Sequence, residues 1–147
     1  MKKIYIYVET TIKSPSQKEG AYGYVLEYPR VSKYPATCTE VKYVKDVTFH
    51  RVRLVALVEA LNRLRYPCDL EIFTDSDYIV NTWKQGLPRQ WEKQGWKNSK
   101  GEEIANKEEW KEMLRILVGN VNFHLNEEHT YRQWLKRELE KKGEENV

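Results

Sequence analysis

Residues 72–80 read IFTDSDYIV, and the change of pattern within this stretch decides the fold. The short apolar run that ends at Thr74 is typical of a buried strand, whereas the following residues begin a helix that Ser76 or Asp75 would cap. A carboxylate at such a junction either caps the helix or joins other acids in a metal site. The side chains that the rest of the chain brings to this strand end therefore determine the role of Asp75.

The first third of the chain alternates apolar and polar residues, as strands do. Alternate residues are apolar in KKIYIYVET (2–10), which predicts the first strand. The segments AYGYVLEY (21–28) and TEVKYVKDV (39–47) predict two more strands. Because polar turn residues separate the first two, these strands are expected to form an antiparallel meander.

Helical periodicity begins after the third strand. The segment TFHRVRLVALVEALNRLRYP (48–67) has a suitable N-cap in Thr48 and a stop in Pro67. Its apolar stripe consists of Leu54, Leu57, Val58, Leu61 and Leu64. Since this helix separates strands three and four, it serves as a crossover that lets strand four lie parallel to strand one.

The last third predicts two helices around a fifth strand. Asn106 would cap the helix KEEWKEMLRILV (107–118), and VNFHL (121–125) is the strand. The final helix, TYRQWLKRELEKK (130–142), has a predicted inward face made of Tyr131, Trp134, Leu135 and Leu139. The order β-β-β-α-β-α-α-β-α predicts an α/β fold, a five-stranded mixed sheet flanked by helices, in a single domain spanning residues 1–147.

This topology brings a second acid toward Asp75. The carboxyl ends of parallel neighbouring strands meet at one edge of the sheet, so Glu9, at the end of strand one, is expected beside Asp75. Ligands of α/β sheets bind at such strand ends. The pair is therefore the first candidate for a functional site.

Composition excludes several classes of protein. The 147 residues are 40% hydrophobic and 32% charged, which is typical of a globular chain and not of a disordered one. No apolar run approaches the roughly 20 residues of a membrane helix, so we expect no membrane partner and a cytoplasmic location. Cys38 and Cys68 have no metal-ligand spacing and are expected to be reduced, with one disulfide as the alternative.

Three segments together resemble the ribonuclease H family, over nearly the whole chain. KEGAYGYVLEY (18–28) resembles its glycine-rich turn into the second strand, and IFTDSDYIV (72–80) resembles its TDSxYV motif. TWKQGLPRQWEKQGWKNSKG (82–101) resembles its basic handle, which we place at about residues 81–105. The resemblance implies a type 1 ribonuclease H-like fold. It also implies cleavage of the RNA strand of RNA–DNA hybrids by two divalent metals, Mg²⁺ or Mn²⁺, held by four acids.

This chain has acids at only two of the family's four acid positions. By resemblance, Glu9 matches the first acid and Asp75 the third, which makes them the catalytic and metal-binding candidates. The second position falls on Arg53, and the fourth falls on Lys136 or Arg137. In chain order, the four positions are therefore occupied by an acid, a base, an acid and a base.

Two cations in acid positions change what the site is expected to bind. Arg53 and Lys136 would repel divalent metals and pair with the remaining carboxylates. Metal binding at Glu9 and Asp75 is therefore expected to be weak or absent, and no cofactor is expected. We expect Arg53 to lie between the two carboxylates in place of a metal. His129 matches a histidine of the family and is interpreted as a vestigial catalytic residue.

The handle concentrates basic and aromatic residues. Its candidates for nucleic-acid contact are Lys84, Arg89, Trp91, Lys93, Trp96 and Lys97. Basic side chains neutralise phosphates, and aromatic rings stack on nucleobases. The alternative is a solvated loop whose tryptophans pack on the core.

Three functions remain open at this point. The first, which we favour, is a catalytically inactive ribonuclease H-like protein that binds nucleic acid, either RNA–DNA hybrid or duplex, or a protein partner. The second is an active, divergent endonuclease that uses Mg²⁺ or Mn²⁺ with further acids from Glu127, Glu128 or Glu138. The third is an interaction module that binds no nucleic acid. Metal-dependent cleavage distinguishes the first from the second, and salt-sensitive binding distinguishes the first from the third.

Overall fold

A five-stranded sheet organises the residues that the computed structural model describes, which are 1–31 and 33–146. The strands are β1 (Lys3–Thr10), β2 (Gly20–Tyr28), β3 (Ala36–Val44), β4 (Asp69–Thr74) and β5 (Val121–Leu125). Their order across the sheet is β3-β2-β1-β4-β5. β1 pairs antiparallel with β2 and parallel with β4, which in turn pairs parallel with β5. The predicted mixed sheet and its crossover are confirmed.

Helices pack on both faces of this sheet. Within the described residues they are α1 (Phe49–Leu61), α2 (Asp77–Lys84), α3 (Leu87–Lys93), α4 (Lys107–Ile116) and α5 (Arg132–Glu145). The sequence predicted four of them and missed α3, which lies inside the handle. The available signal was Pro88 in the first turn, two residues after the N-cap Gly86, whose φ is 69°.

α1 lies between the sheet and α4, and it is buried on both sides. One core cluster joins Ile4 and Ile6 of β1, Leu57 of α1, and Trp110 and Met113 of α4. A helix in this position needs apolar residues around most of its circumference, as the α1 sequence has. Its position above β1 also places its first turns over the carboxyl end of that strand.

The two ends of α1 are set by side chains. Thr48 caps the helix as predicted, because its hydroxyl accepts a hydrogen bond from the Arg51 N–H at 3.2 Å. The helix ends at Leu61, well before the proline that was predicted to stop it. The reason is local: the Asn62 side-chain amide donates to the Val58 carbonyl at 3.0 Å and closes the last turn.

α5 covers the opposite face, over β1, β2 and β3. Leu135 packs there with Tyr7 and Val25 in a second buried cluster. Trp134 was also predicted to point inward, but this is wrong, because it is 36% exposed. It lies about 100° around the helix from Leu135. The indole therefore falls beside the sheet, where it lines a small cavity with Thr37.

Two expectations from composition, about the cysteines and about membrane-spanning helices, can be compared with the described residues. Cys38 and Cys68 are free thiols and not disulfide partners. In residues 1–31 and 33–146, no helix combines the length and the apolar character that crossing a membrane requires.

Candidate functional site

A cavity of about 580 Å³ opens at the carboxyl ends of β1 and β4. The parallel register places Tyr7 opposite Phe73, so Glu9 and Asp75 follow two residues later at neighbouring strand ends. The charged side chains that line the cavity are Glu9, Lys13, Asp75, Arg132, Lys136 and Glu140. The predicted meeting of Glu9 and Asp75 therefore occurs, and cations surround it.

Asp75 is bound by a buried arginine. Arg53 Nε donates to Asp75 Oδ1 at 2.7 Å and Nη2 donates to Oδ2 at 3.1 Å, which forms a bidentate ion pair. The Arg53 side chain is only 2% exposed. Its other donations go to the carbonyls of Phe49 at 2.9 Å and Ile12 at 2.8 Å. The guanidinium therefore joins the loop after β1, the start of α1 and the end of β4.

Asp75 is held as a carboxylate. Burial alone would raise its pKa, but the hydrogen bonds and charge of Arg53, with the charge of Lys13, hold the pKa of Asp75 below its ordinary value. Lys13 Nζ lies 3.5 Å from Asp75 Oδ2. The cap of α2 is Ser76, whose hydroxyl accepts from the Ile79 N–H at 3.0 Å. Asp75 is therefore an ion-pair partner and not the helix cap.

Glu9 has its own cationic and hydrogen-bonding neighbours. His129 Nε2 lies 3.0 Å from Glu9 Oε2, and Arg132 Nε lies 3.6 Å from the same oxygen. Because the Tyr131 N–H donates to His129 Nδ1 at 3.2 Å, Nε2 carries the hydrogen and donates to Glu9. The His129 side chain is 2% exposed, and its ring lies 4.6 Å from that of Tyr7. The histidine is thus fixed against the sheet.

The two carboxylates do not share one cation. Arg53 was expected between Glu9 and Asp75, but among the described residues its hydrogen bonds to acids go to Asp75 alone. Two backbone carbonyls accept from Nη1 and from Nη2, the latter shared with Asp75. Sequence reasoning missed Arg132, the cation beside Glu9, because the last helix is rich in basic residues. The available signal was its position three residues after the family histidine.

Two basic residues of the last helix were predicted as alternatives for the fourth acid position, and they differ in their position relative to the cavity. Lys136 lines the cavity, whereas Arg137 does not. The acids considered as replacements have other partners: Glu127 binds His124, Glu128 binds Arg132 and Glu138 binds Lys141. The geometry therefore favours a cation, Lys136, at this position.

The residues of the cavity do not fit a two-metal centre. Mg²⁺ needs several hard oxygen ligands in near-octahedral geometry. Across residues 1–31 and 33–146, no group of three or more His, Cys, Asp and Glu side chains is arranged to hold a metal ion. Of the three carboxylates that line the cavity, Glu9 and Asp75 already accept hydrogen bonds from protein donors. Ion pairs take the place that metal coordination would need.

The handle carries exposed basic residues, whereas its tryptophans pack toward the core. Its exposed basic residues, which form no ion pair among the described residues, are Lys84, Arg89, Lys93, Lys97 and Lys100. Trp96 is only 7% exposed and packs in the core cluster. Trp91 is partly buried, with its ring 6.1 Å from that of Trp110. Trp96 therefore offers little surface for stacking on a nucleobase, and the cations are the accessible groups.

Similarity to known proteins covers most of the chain. A family model described as RNase H matches residues 1–131. The Ribonuclease H of Acetivibrio thermocellus is 38% identical over 117 residues, which is 79% of this chain and 75% of that protein. The Ribonuclease H of Prosthecochloris aestuarii is 30% identical over 138 residues, which is 92% of this chain and 90% of that protein. The family match ends just before the helix that carries Lys136.

Solved structures share the fold. LC9-RNase H1, described as a type 1 RNase H with the type 2 active-site motif, superposes with a TM-score of 0.74 over 99% of this chain and 74% of that chain, at 18% identity. The foamy viral protease-reverse transcriptase in complex with an RNA/DNA hybrid superposes with a TM-score of 0.68 over 99% of this chain and 20% of that chain, also at 18% identity. At this level of identity, the likeness concerns the fold alone.

Proposed function

The chain belongs to the ribonuclease H family, and on this premise we propose that it binds RNA–DNA hybrid or duplex nucleic acid without cutting it. In a two-metal hydrolase, carboxylates hold the ions that activate water and stabilise the leaving oxygen. This chain has cations at two of the positions that such carboxylates would occupy. The chain would therefore bind nucleic acid without the metal ions that cleavage requires.

The observation that carries this proposal is the buried ion pair between Arg53 and Asp75. A metal that displaced the guanidinium would leave a buried arginine without its partner, at a cost of about 3–5 kcal/mol. A metal of millimolar Kd, present at a concentration equal to that Kd, supplies only about 0.4 kcal/mol. Millimolar Mg²⁺ is therefore expected to leave the pair intact.

Nucleic-acid binding is assigned to the handle. Four exposed cations, Lys84, Arg89, Lys93 and Lys97, lie within 14 residues of sequence without an ion-pair partner among the described residues. Such groups neutralise phosphates and release counterions, a gain that does not depend on sequence. The solved foamy viral protein in complex with RNA/DNA hybrid has the same fold, which supports this kind of partner.

The test combines binding and cleavage with one substrate. Labelled RNA–DNA hybrid is incubated with the full chain in Mg²⁺, in Mn²⁺ and in EDTA, and both the bound fraction and the integrity of the RNA strand are measured. We expect binding in all three conditions and cleavage in none. Metal-dependent cleavage that Asp75→Asn abolishes, while the control Asp77→Asn at the exposed neighbouring acid keeps it, would overturn the proposal.

A metal-dependent nuclease is the second candidate. Relatives that are 30–38% identical carry the name Ribonuclease H. For this activity the chain would need further acids at the cavity, and Glu128 is linked to the cavity lining through its ion pair with Arg132 at 2.6 Å. The same cleavage assay with Glu128→Gln tests this candidate.

A further inference from the structure

We propose that the cavity at the carboxyl ends of β1 and β4 binds a phosphate group without a metal ion, through Lys13, Arg132 and Lys136. The proposal rests on the proposed function in one respect, because the backbone of a bound nucleic acid is one source of that phosphate. Free phosphate is the other source. Charge balance and unused donors both point to this chemical class.

Positive and negative charges balance around the cavity. The cations are Lys13, Arg53, Arg132 and Lys136, and the acids are Glu9, Asp75, Glu140 and Glu128, which pairs with Arg132 at 2.6 Å. A site built from four carboxylates would repel a phosphate until metal ions neutralised it. Here the neutralising charges belong to the protein, so the site carries no net negative charge even without a metal.

The two inner acids are already occupied by protein donors. Arg53 binds both oxygens of Asp75, at 2.7 and 3.1 Å. His129 binds Glu9 at 3.0 Å. These carboxylates therefore compete less for the cations that face the cavity than free carboxylates would.

Three donors at the cavity wall are not fully used. Arg132 Nε has no hydrogen-bond acceptor, and in the described part of the chain it is the one buried side-chain nitrogen or oxygen in this condition. Lys136 forms no ion pair with any described residue. Lys13 is 60% exposed and lies 3.5 Å from Asp75, beyond the about 2.7–2.9 Å of a charge-assisted hydrogen bond. Oxygen atoms of one phosphate would satisfy such donors together.

Inorganic phosphate tests the cavity without nucleic acid. The full chain is melted in EDTA with increasing sodium phosphate, and sodium chloride at equal ionic strength is the reference. We expect phosphate to raise the Tm of the wild type and Lys136→Ala to lose this shift, since binding to the folded state raises its stability. The matched control is Arg137→Ala, which removes the same charge from the next residue, also exposed but outside the cavity lining.

An RNA–DNA hybrid tests the backbone as the source of the phosphate. In EDTA, Lys136→Ala is expected to weaken hybrid binding about 3- to 10-fold and to reduce the log–log salt slope by about 0.9. Arg137→Ala is expected to change the affinity less, because its side chain does not line the cavity. Glu140→Gln, which removes an acid from the lining, is expected to tighten binding.

The outcomes separate this proposal from the proposed function. A phosphate shift that depends on Lys136, in a protein that binds no hybrid, supports the cavity site and contradicts the proposed function. Hybrid binding that is insensitive to Lys136→Ala, in a protein whose Tm does not respond to phosphate, overturns the cavity site and leaves the proposed function standing. Equal effects of Lys136→Ala and Arg137→Ala, or a requirement for Mg²⁺, also overturn the cavity site.

Discussion

Arg53 is a charged side chain in a position where the core would otherwise be apolar. It is 2% exposed, and burial of a charge is costly unless the charge is paired and hydrogen-bonded. Asp75 supplies the pairing, while Phe49 and Ile12 supply backbone acceptors. The Arg53 Cζ also lies 3.9 Å from the centre of the Phe49 ring. The stability of this part of the fold therefore depends on both members of the ion pair.

Removal of either member is expected to be strongly destabilising. Arg53→Ala and Asp75→Ala should each lower the free energy of unfolding by about 3–5 kcal/mol, because each leaves unpaired groups in the interior. The double variant should lose less than the sum, by about 0.5–3 kcal/mol. Denaturant unfolding of the four proteins measures this coupling. The same cycle at the exposed pair of Lys107 and Glu103 is the control, with coupling of about 0–1 kcal/mol.

A carboxylate at position 53 is expected to create a response to metal. Arg53→Glu places a third acid near Asp75 and Glu9, so Mg²⁺ or Mn²⁺ at ten times its Kd should stabilise this variant by about 1.4 kcal/mol. The wild type should show no shift. Arg53→Gln is the matched control, since it shortens the side chain without adding a carboxylate. Equal metal shifts in all three proteins would mean that Arg53 does not stand where a metal would bind.

The handle is an ordered element whose interior is aromatic. α3 spans Leu87–Lys93, and the Trp91 ring lies 6.5 Å from that of Trp96, which is buried. The tryptophans therefore anchor the segment to the core. The basic residues are thus carried by an ordered segment and not by a flexible loop. Preorganised groups lose less conformational entropy when they bind than groups on a flexible loop.

Loss of three handle lysines is expected to weaken nucleic-acid binding regardless of sequence. The triple variant Lys84→Ala, Lys93→Ala, Lys97→Ala should flatten the log–log salt dependence by about 0.9 for each phosphate of duplex DNA that the protein no longer neutralises. Affinity measured by fluorescence anisotropy at several salt concentrations gives the slope. A second triple variant, with alanine at exposed Lys2, Lys33 and Lys45, removes the same charge elsewhere. If both variants behave alike, net charge and not the handle determines binding.

At the scale of the whole molecule, one histidine is expected to make stability depend on pH near neutrality. His124 lies between Glu71, at 2.8 Å, and Glu127, at 3.0 Å. Burial alone would lower its pKa, but hydrogen bonds and charges of the two glutamates raise the pKa of His124 above its ordinary value of 6.5. A group whose pKa rises on folding stabilises the fold below its unfolded pKa. That contribution is lost as the pH rises through the folded pKa.

The wild type is therefore expected to lose stability above about pH 6.5 relative to His124→Gln. Urea unfolding at a series of pH values measures the difference between the two proteins. His50→Gln, at an exposed histidine of α1, is the control for a change of histidine content. A difference that is constant across the pH series would show that the two glutamates do not act through the charge of His124.

The topology was predictable because it follows from short-range patterns, whereas the importance of Arg53 came from the family resemblance. The periods of strands and helices identify β1, α1 and β4, and parallel pairing then brings Glu9 and Asp75 to one edge. α3 has only seven residues, too few for its periodicity to be read. The burial of Leu135 rather than Trp134 depends on how α5 is rotated on the sheet. The contact of Arg132 with Glu9 joins distant segments through side-chain conformations that no local pattern encodes.

The attachment of Arg53 to three chain segments also limits how this chain can evolve. Substitution of an acid at position 53 alone removes the bonds to Ile12, Phe49 and Asp75, while Lys136 still lines the cavity. The intermediate gains no complete set of ligands and loses stability, which selection opposes. If the chain is inactive, as we propose, a path to metal-dependent hydrolysis therefore needs at least two substitutions, with an unfavourable step between them.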